Sequence, residues 1–213
     1  MSKTIRFMLR GTATAADPLL FFVVSLLLMA LNLLLPGTFA QVYLHNAYIM
    51  FFLMLYILGN AFPCSYTQTA MTMGARRRDI FAGIQVQVLV YVAVCWLSLF
   101  MLDKFTLAFA LEQEYGWGMG HLTEHPILLL PLIFSMLSGY FSGSLMKKHR
   151  WLGMALIILL MIAAIALSTL TLAVGTDTSG LWGDLYWLLP LLFVLVIAAL
   201  DAGLWLLLRR ETV

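Results

Sequence analysis

Apolar runs of about twenty residues, parted by short polar connections, recur along the whole chain. A run of that length crosses a hydrocarbon core of about 30 Å as an α-helix. The runs are continuously apolar rather than alternating, which argues against membrane strands. Six spans are predicted, at about residues 19–35, 42–62, 80–102, 126–145, 151–174 and 185–208. The expected fold is all-α: a polytopic membrane protein with a single transmembrane domain over residues 1–213. The longest polar connection is about twenty residues, so no soluble domain is expected.

Local signals set the boundaries. Asp17-Pro18 opens the first span, with Asp as N-cap and Pro at the first helical position. Thr38-Phe39-Ala40 resembles a signal-peptidase site. The run before it is longer than a signal core and another span follows at once, so the first helix is expected to be retained. Pro63 ends the second span. In the first sixteen residues Lys3, Arg6 and Arg10 interleave with Ile5, Phe7, Met8 and Leu9, a pattern suited to a helix lying on an anionic leaflet. Tyr115-Gly116-Trp117-Gly118 suits a segment resting in the headgroup layer.

Composition agrees with the pattern. The chain is 63% hydrophobic and 10% charged, with mean hydropathy +0.98, too apolar for the surface a soluble domain needs. The charges are sorted by side. With the N-terminus inside, the inner basic residues are Lys3, Arg6, Arg10, Arg76, Arg77, Arg78, Lys147, Lys148, Arg150, Arg209 and Arg210, and only Lys104 falls outside. Asp103, Glu112, Glu114, Glu124, Asp177 and Asp184 all fall outside. Both termini are therefore expected in the cytoplasm. The two cysteines, Cys64 and Cys95, do not imply a disulfide framework.

The densest positive block lies in an elbow at residues 63–79, between the second and third spans. Ser65 is a fair N-cap for a short helix from about Tyr66 to Met73, and Gly74 is a natural C-terminal stop. Tyr66, Ala70 and Met73 are expected on one face of that helix, with Thr67, Gln68 and Met71 elsewhere. Asp79 falls in the first turn of the third span, where the helix dipole favours an acid. On charge alone, Arg76, Arg77 and Arg78 read as topology anchors.

The order of residues adds to that reading. Gly74-Ala75-Arg76-Arg77-Arg78-Asp79-Ile80-Phe81-Ala82-Gly83 resembles the G-x-x-R-[RK]-[DE]-h-h-x-G signature (h, hydrophobic) of small bacterial ABC-2-type permeases. Phe62-Pro63 followed by a polar helix, the six-span layout and the chain length are similar to the same family. The resemblance implies a permease subunit of an ABC transporter in the bacterial cytoplasmic membrane, with export as the usual direction. It implies that the elbow is a coupling helix docking on an ATPase subunit through Tyr66, Gln68, Met71, Gly74, Arg76, Arg77, Arg78 and Asp79. The chain has no G-x-x-x-x-G-K-[ST] loop, so it is not expected to be the enzyme. ATP and Mg are expected on the ATPase partner, and no cofactor on this chain. A second permease copy or a related permease completes the expected assembly, with the lipid bilayer around it and no nucleic acid.

Polar and small residues inside the spans are the other candidates. Ser135, Ser138, Gly139, Ser142 and Gly143 share one helix face. They suit close helix packing or the lining of a substrate path. Asp201 lies within the sixth span, about two turns from its end. It reads either as an acid facing the bundle or as a gating or substrate-contacting group. Gln85 and Gln87 are two apart and cannot share a face. His121 and His125 flank Glu124 at helical spacing without an evident third ligand, so no metal site is expected.

Rival readings remain. An intramembrane serine protease would need a histidine at depth, and only His45 lies near a span edge. A substrate-binding membrane subunit of a vitamin uptake system is also small, with six spans, and depends on a separate ATPase. A non-transporting sensor or assembly partner has the same architecture.

Overall fold

Backbone crossing lipid must satisfy its own polar groups, and a continuous apolar run does so as a helix. The computed structural model describes residues 23, 27, 30, 38–63, 67–108, 129–176 and 185–210. Its elements are α1 (Thr38–Phe62), α2 (Gln68–Thr72), α3 (Arg77–Ala108), α4 (Leu129–Lys148), α5 (Arg150–Thr176) and α6 (Leu185–Arg210). Three helices are long and apolar enough to cross a membrane, over Arg77–Met101, Leu129–Lys148 and Pro190–Arg209. Ile49–Phe62 of α1 and Arg150–Leu160 of α5 are shorter apolar stretches.

Several helices outrun the expected spans. α3 begins at Arg77 and continues to Ala108, so Asp103 and Lys104 stand on the helix rather than in the connection. Nothing between Leu102 and Ala108 is a glycine or proline, and so nothing there stops the helix. α1 starts at Thr38 and α6 reaches Arg210. The basic arm at residues 1–16, the Asp17-Pro18 start, His121, His125 and Glu124 of the long connection, and the turn at 177–184 lie outside the described residues.

α4 is the hub, packed by α1, α3, α5 and α6. Of its apolar stretch 67% is buried, against 17% for α6. That order inverts the pattern of a protein folded in water. The serine-bearing helix is inside and one of the most apolar helices is outside. In lipid, apolar burial gives no drive between helices, so small side chains and hydrogen bonds collect at the centre.

Two contacts bring the helix ends together. Lys147 Nζ, at the end of α4, donates to Thr67 Oγ1 beside α2 at 2.8 Å. An Arg77 guanidinium nitrogen, at the start of α3, donates to the carbonyl of Arg209 near the end of α6 at 3.0 Å. α5 follows α4 after His149 alone. The last turns of α1, α4 and α6 and the first turns of α3 and α5 therefore share one end of the bundle. Arg76, Arg77, Arg78, Lys147, Lys148, Arg150 and Arg209 gather there with them.

Candidate functional site

The elbow is built as a stub with a defined stop. α2 covers Gln68–Thr72, against an expected Tyr66–Met73 of which Met73 is the C-cap. Thr67 precedes it in helical geometry without a side-chain cap. Its hydroxyl is turned back to the Pro63 carbonyl at 2.5 Å and accepts from Lys147. Gly74 has φ +78°, and its N–H meets the Met71 carbonyl at 2.9 Å while that of Ala75 meets Ala70 at 3.0 Å. Those two bonds form a Schellman motif, in which a left-handed glycine closes the helix.

Exposure sorts the elbow residues. Ala70 is buried, Met71 is half-buried against the core, and Met73 is 69% exposed. Ala70 and Met73 therefore do not share a face as expected: α2 ends at Thr72, and the chain turns away before Met73 points inward. Gly74, Arg76, Arg77 and Arg78 are exposed and Asp79 is half-buried. The backbone of Gln68 opens α2. Tyr66, Ser65 and the Gln68 side chain lie outside the described residues.

Arg76 acts as the N-cap of α3 through its carbonyl, which accepts from Asp79 and Ile80 at 2.9 and 3.0 Å. Three cations at a helix N-terminus oppose the helix dipole, at about 0.3–1 kcal/mol each when exposed. Asp79 in the first turn offsets part of this. Arg77 relieves more of it by placing its charge on the carbonyl end of α6, where the dipole favours a cation.

Ser135, Ser138, Gly139, Ser142 and Gly143 are all buried in α4. They face α1 at a seam where backbones nearly touch. A Cβ at Gly139 would fall within 3.0 Å of the Tyr56 carbonyl oxygen, and Gly59 and Gly143 are equally tight against Met136 and Asn60. Ser135 Oγ donates to the Phe52 carbonyl at 2.6 Å. Asn60 Nδ2 donates to Ser142 Oγ at 3.0 Å, and Ser142 Oγ to the Gly139 carbonyl at 3.0 Å. The Tyr56 hydroxyl lies 3.2 Å from Ser142 Oγ and donates to the Ile157 carbonyl at 3.1 Å, so it joins α1, α4 and α5. Ser138 bonds back to Ser135 of its own helix at 2.8 Å.

The two glutamines of α3 part company. Gln87 is buried and accepts from the Tyr140 hydroxyl of α4 at 2.5 Å. Gln85 donates from Nε2 to Asp201 Oδ1 of α6. The Gln85–Asp201 contact is the last rung of an antiparallel ladder. Arg77 meets Arg209, Phe81 meets Trp205 edge-to-face at 5.2 Å, and Gln85 meets Asp201, four residues per step on each helix. Gln85, Asp201, Phe81 and Trp205 are all half-buried.

Tyr56, Gly59, Tyr140 and Trp205 were not singled out as site residues from the sequence. Gly59 and Asn60 sit beside each other near the end of the second apolar run, and that pairing was the available signal. Among the described residues no group of three or more His, Cys, Asp or Glu is placed to hold a metal. Comparison with family models, with curated proteins and with solved structures finds no match to this chain.

Proposed function

We propose that this chain is the membrane-spanning permease subunit of an ABC exporter in a bacterial cytoplasmic membrane. It crosses six times, with both termini inside, and pairs with a second copy or a related permease. A separate ATPase subunit holds ATP and Mg and docks on the elbow. The observation that carries the reading is the elbow itself: a five-residue stub, α2, with exposed Met73, Arg76 and Arg78 beside it, tied on one flank to α4 and on the other to α6. A stub held this way passes a push on its tip into two helices at once. The Gly74–Gly83 signature and the one-ended clustering of basic residues support the same reading.

The test is purification of the native assembly with its neighbours identified, followed by two changes in the elbow. Replacing Arg77 and Asp79 together, or deleting residues 68–73, is expected to detach or uncouple an ATPase while the spans remain inserted. Unchanged complex formation with unchanged ATPase stimulation would refute the proposal. A tightly held vitamin with a second large membrane subunit would favour the uptake-system rival instead.

A further inference from the structure

The α3–α6 ladder ends on a charge that its surroundings leave half-answered. Asp201 lies within the stretch Pro190–Arg209, long and apolar enough to cross a membrane. A carboxylate at such depth costs about 2.5–3.5 kcal/mol on insertion scales and marks a functional position by default. Its polar partner among the described residues is the Gln85 amide, a neutral donor bonded to Oδ1. The cations on the same ladder, Arg77 and Arg209, stand two turns away, roughly 12 Å along the helix. Phe141 of α4 packs near Gly203 and brings no charge.

Among the described residues, small side chains flank Asp201 on its own helix. Ala198 and Ala202, one turn before and one residue after Asp201, are exposed and small. One turn along the seam, the Phe81–Trp205 pair presents half-buried aromatic surface beside it. An aromatic face attracts a cation and accepts an apolar body alike.

We propose that this seam is a binding site for lipophilic organic cations, meaning a quaternary ammonium or phosphonium carried on an apolar body. The charged centre sits against Asp201 and the apolar body against Phe81 and Trp205. The class follows from desolvation. A small inorganic cation would have to shed a tightly held hydration shell, and the seam offers too few oxygens to replace it. An organic cation of diffuse charge already partitions into the bilayer and loses little water on arrival. The inference deepens the permease reading by naming a substrate class and so rests on it, but its test uses this chain alone.

The probe is tetraphenylphosphonium, added to the purified full chain in nanodiscs of zwitterionic phosphatidylcholine and followed by equilibrium dialysis. Saturable binding is expected, with no competition from neutral triphenylphosphine oxide. Asp201→Asn should weaken it by about tenfold or more, the loss expected when one partner of a half-desolvated charge pair is removed. Asp201→Glu should restore most of the affinity, and Trp205→Leu should weaken it less than Asp201→Asn. A second readout needs no variant: dicyclohexylcarbodiimide, a lipophilic carboxyl reagent, should label Asp201, and tetraphenylphosphonium should slow that labelling. Absence of saturable binding, equal competition by the neutral analogue, unchanged affinity in Asp201→Asn, or labelling that the cation does not slow would each overturn the inference. Failure here leaves ATPase docking intact, and failure of docking leaves this binding intact, so the two readings are separable.

Discussion

A side chain at position 139 should pry α1 from α4. Gly139 is buried, and even a single Cβ there would fall within 3.0 Å of the Tyr56 carbonyl oxygen. The obstacle is backbone, so no rotamer change relieves it. Forcing atoms into a packed core costs about 1–3 kcal/mol. The same displacement strains three polar contacts across the seam: Ser135 to Phe52, Asn60 to Ser142, and Tyr56 to Ser142. Interhelical hydrogen bonds in membranes average about 0.6 kcal/mol, so losing all three adds about 2 kcal/mol. The expected destabilisation of Gly139→Leu is then about 3–5 kcal/mol, with Gly139→Ala below it because a smaller displacement need not break all three bonds. For a chain of this size, about 2–4 °C per kcal/mol gives a fall in Tm of roughly 6–20 °C for Gly139→Leu. The assay is thermal unfolding in mild detergent, followed by tryptophan fluorescence and checked by gel filtration. Ala155→Leu on the exposed face of α5 is the control and should change little. If Gly139→Leu unfolds with the parent, or Gly139→Ala is no worse than Ala155→Leu, α1 and α4 do not meet at this seam.

Three further outcomes follow from single contacts. Gly74→Ala should cost about 1–2 kcal/mol from its left-handed backbone alone, because nothing lies within 4 Å of the added carbon; faster limited proteolysis at the elbow checks it, and Gly74→Asn should be milder. Tyr140→Phe strands the buried Gln87 acceptor, and a double-mutant cycle with Gln87→Leu should return a coupling of about 0.6 kcal/mol and no more than about 1.7; zero coupling would remove that bond from the account. Cysteines at Gln85 and Asp201 should be joined within one chain by a short bifunctional thiol reagent, whereas a pair at Gln85 and Ala155 should not be; equal yields would place α3 and α6 in some other register.

The helices over residues 38–62, 77–108, 129–148, 150–176 and 185–210 were legible because an apolar run in lipid leaves the backbone little choice, whereas the first expected span, about 19–35, lies almost wholly outside the described residues. The register between them was not. Ser135, Ser138, Gly139, Ser142 and Gly143 could be put on one face from spacing alone, since that face needs only the helical period. Which helix they meet could not be found this way. Gly59 and Asn60 hold the answer, but in sequence they are one glycine and one amide near the end of an apolar run. The split between Gln85 and Gln87 was legible in outline, because residues two apart face different ways. Their partners, Asp201 and Tyr140, depend on which helices lie on either side of α3, and that is set by tertiary packing. The elbow shows the reverse case. Gly74 marks its own stop through a left-handed backbone, whereas the start expected at Ser65 and Tyr66 lies outside the described residues.

The elbow and the intramembrane polar groups belong to one mechanical chain. The Thr67 hydroxyl sits between the Pro63 carbonyl and the Lys147 ammonium, so α2 is joined to the end of α4 through charge-assisted contact. Arg77, inside the elbow at the start of α3, is joined to the end of α6. α4 in turn carries the Ser142–Asn60–Tyr56 cluster against α1, and α6 carries Asp201 against Gln85. A tilt of α2 that preserved both attachments would have to shift α4 along the α1 seam or slide α6 along α3. The α1–α4 seam is the worse candidate for movement, since backbone there already meets backbone. The α3–α6 seam is held by one exposed side-chain-to-carbonyl rung and two half-buried side-chain rungs and is the cheaper one to slide. Force applied at the elbow should therefore appear first at Asp201, the residue proposed to meet the cation.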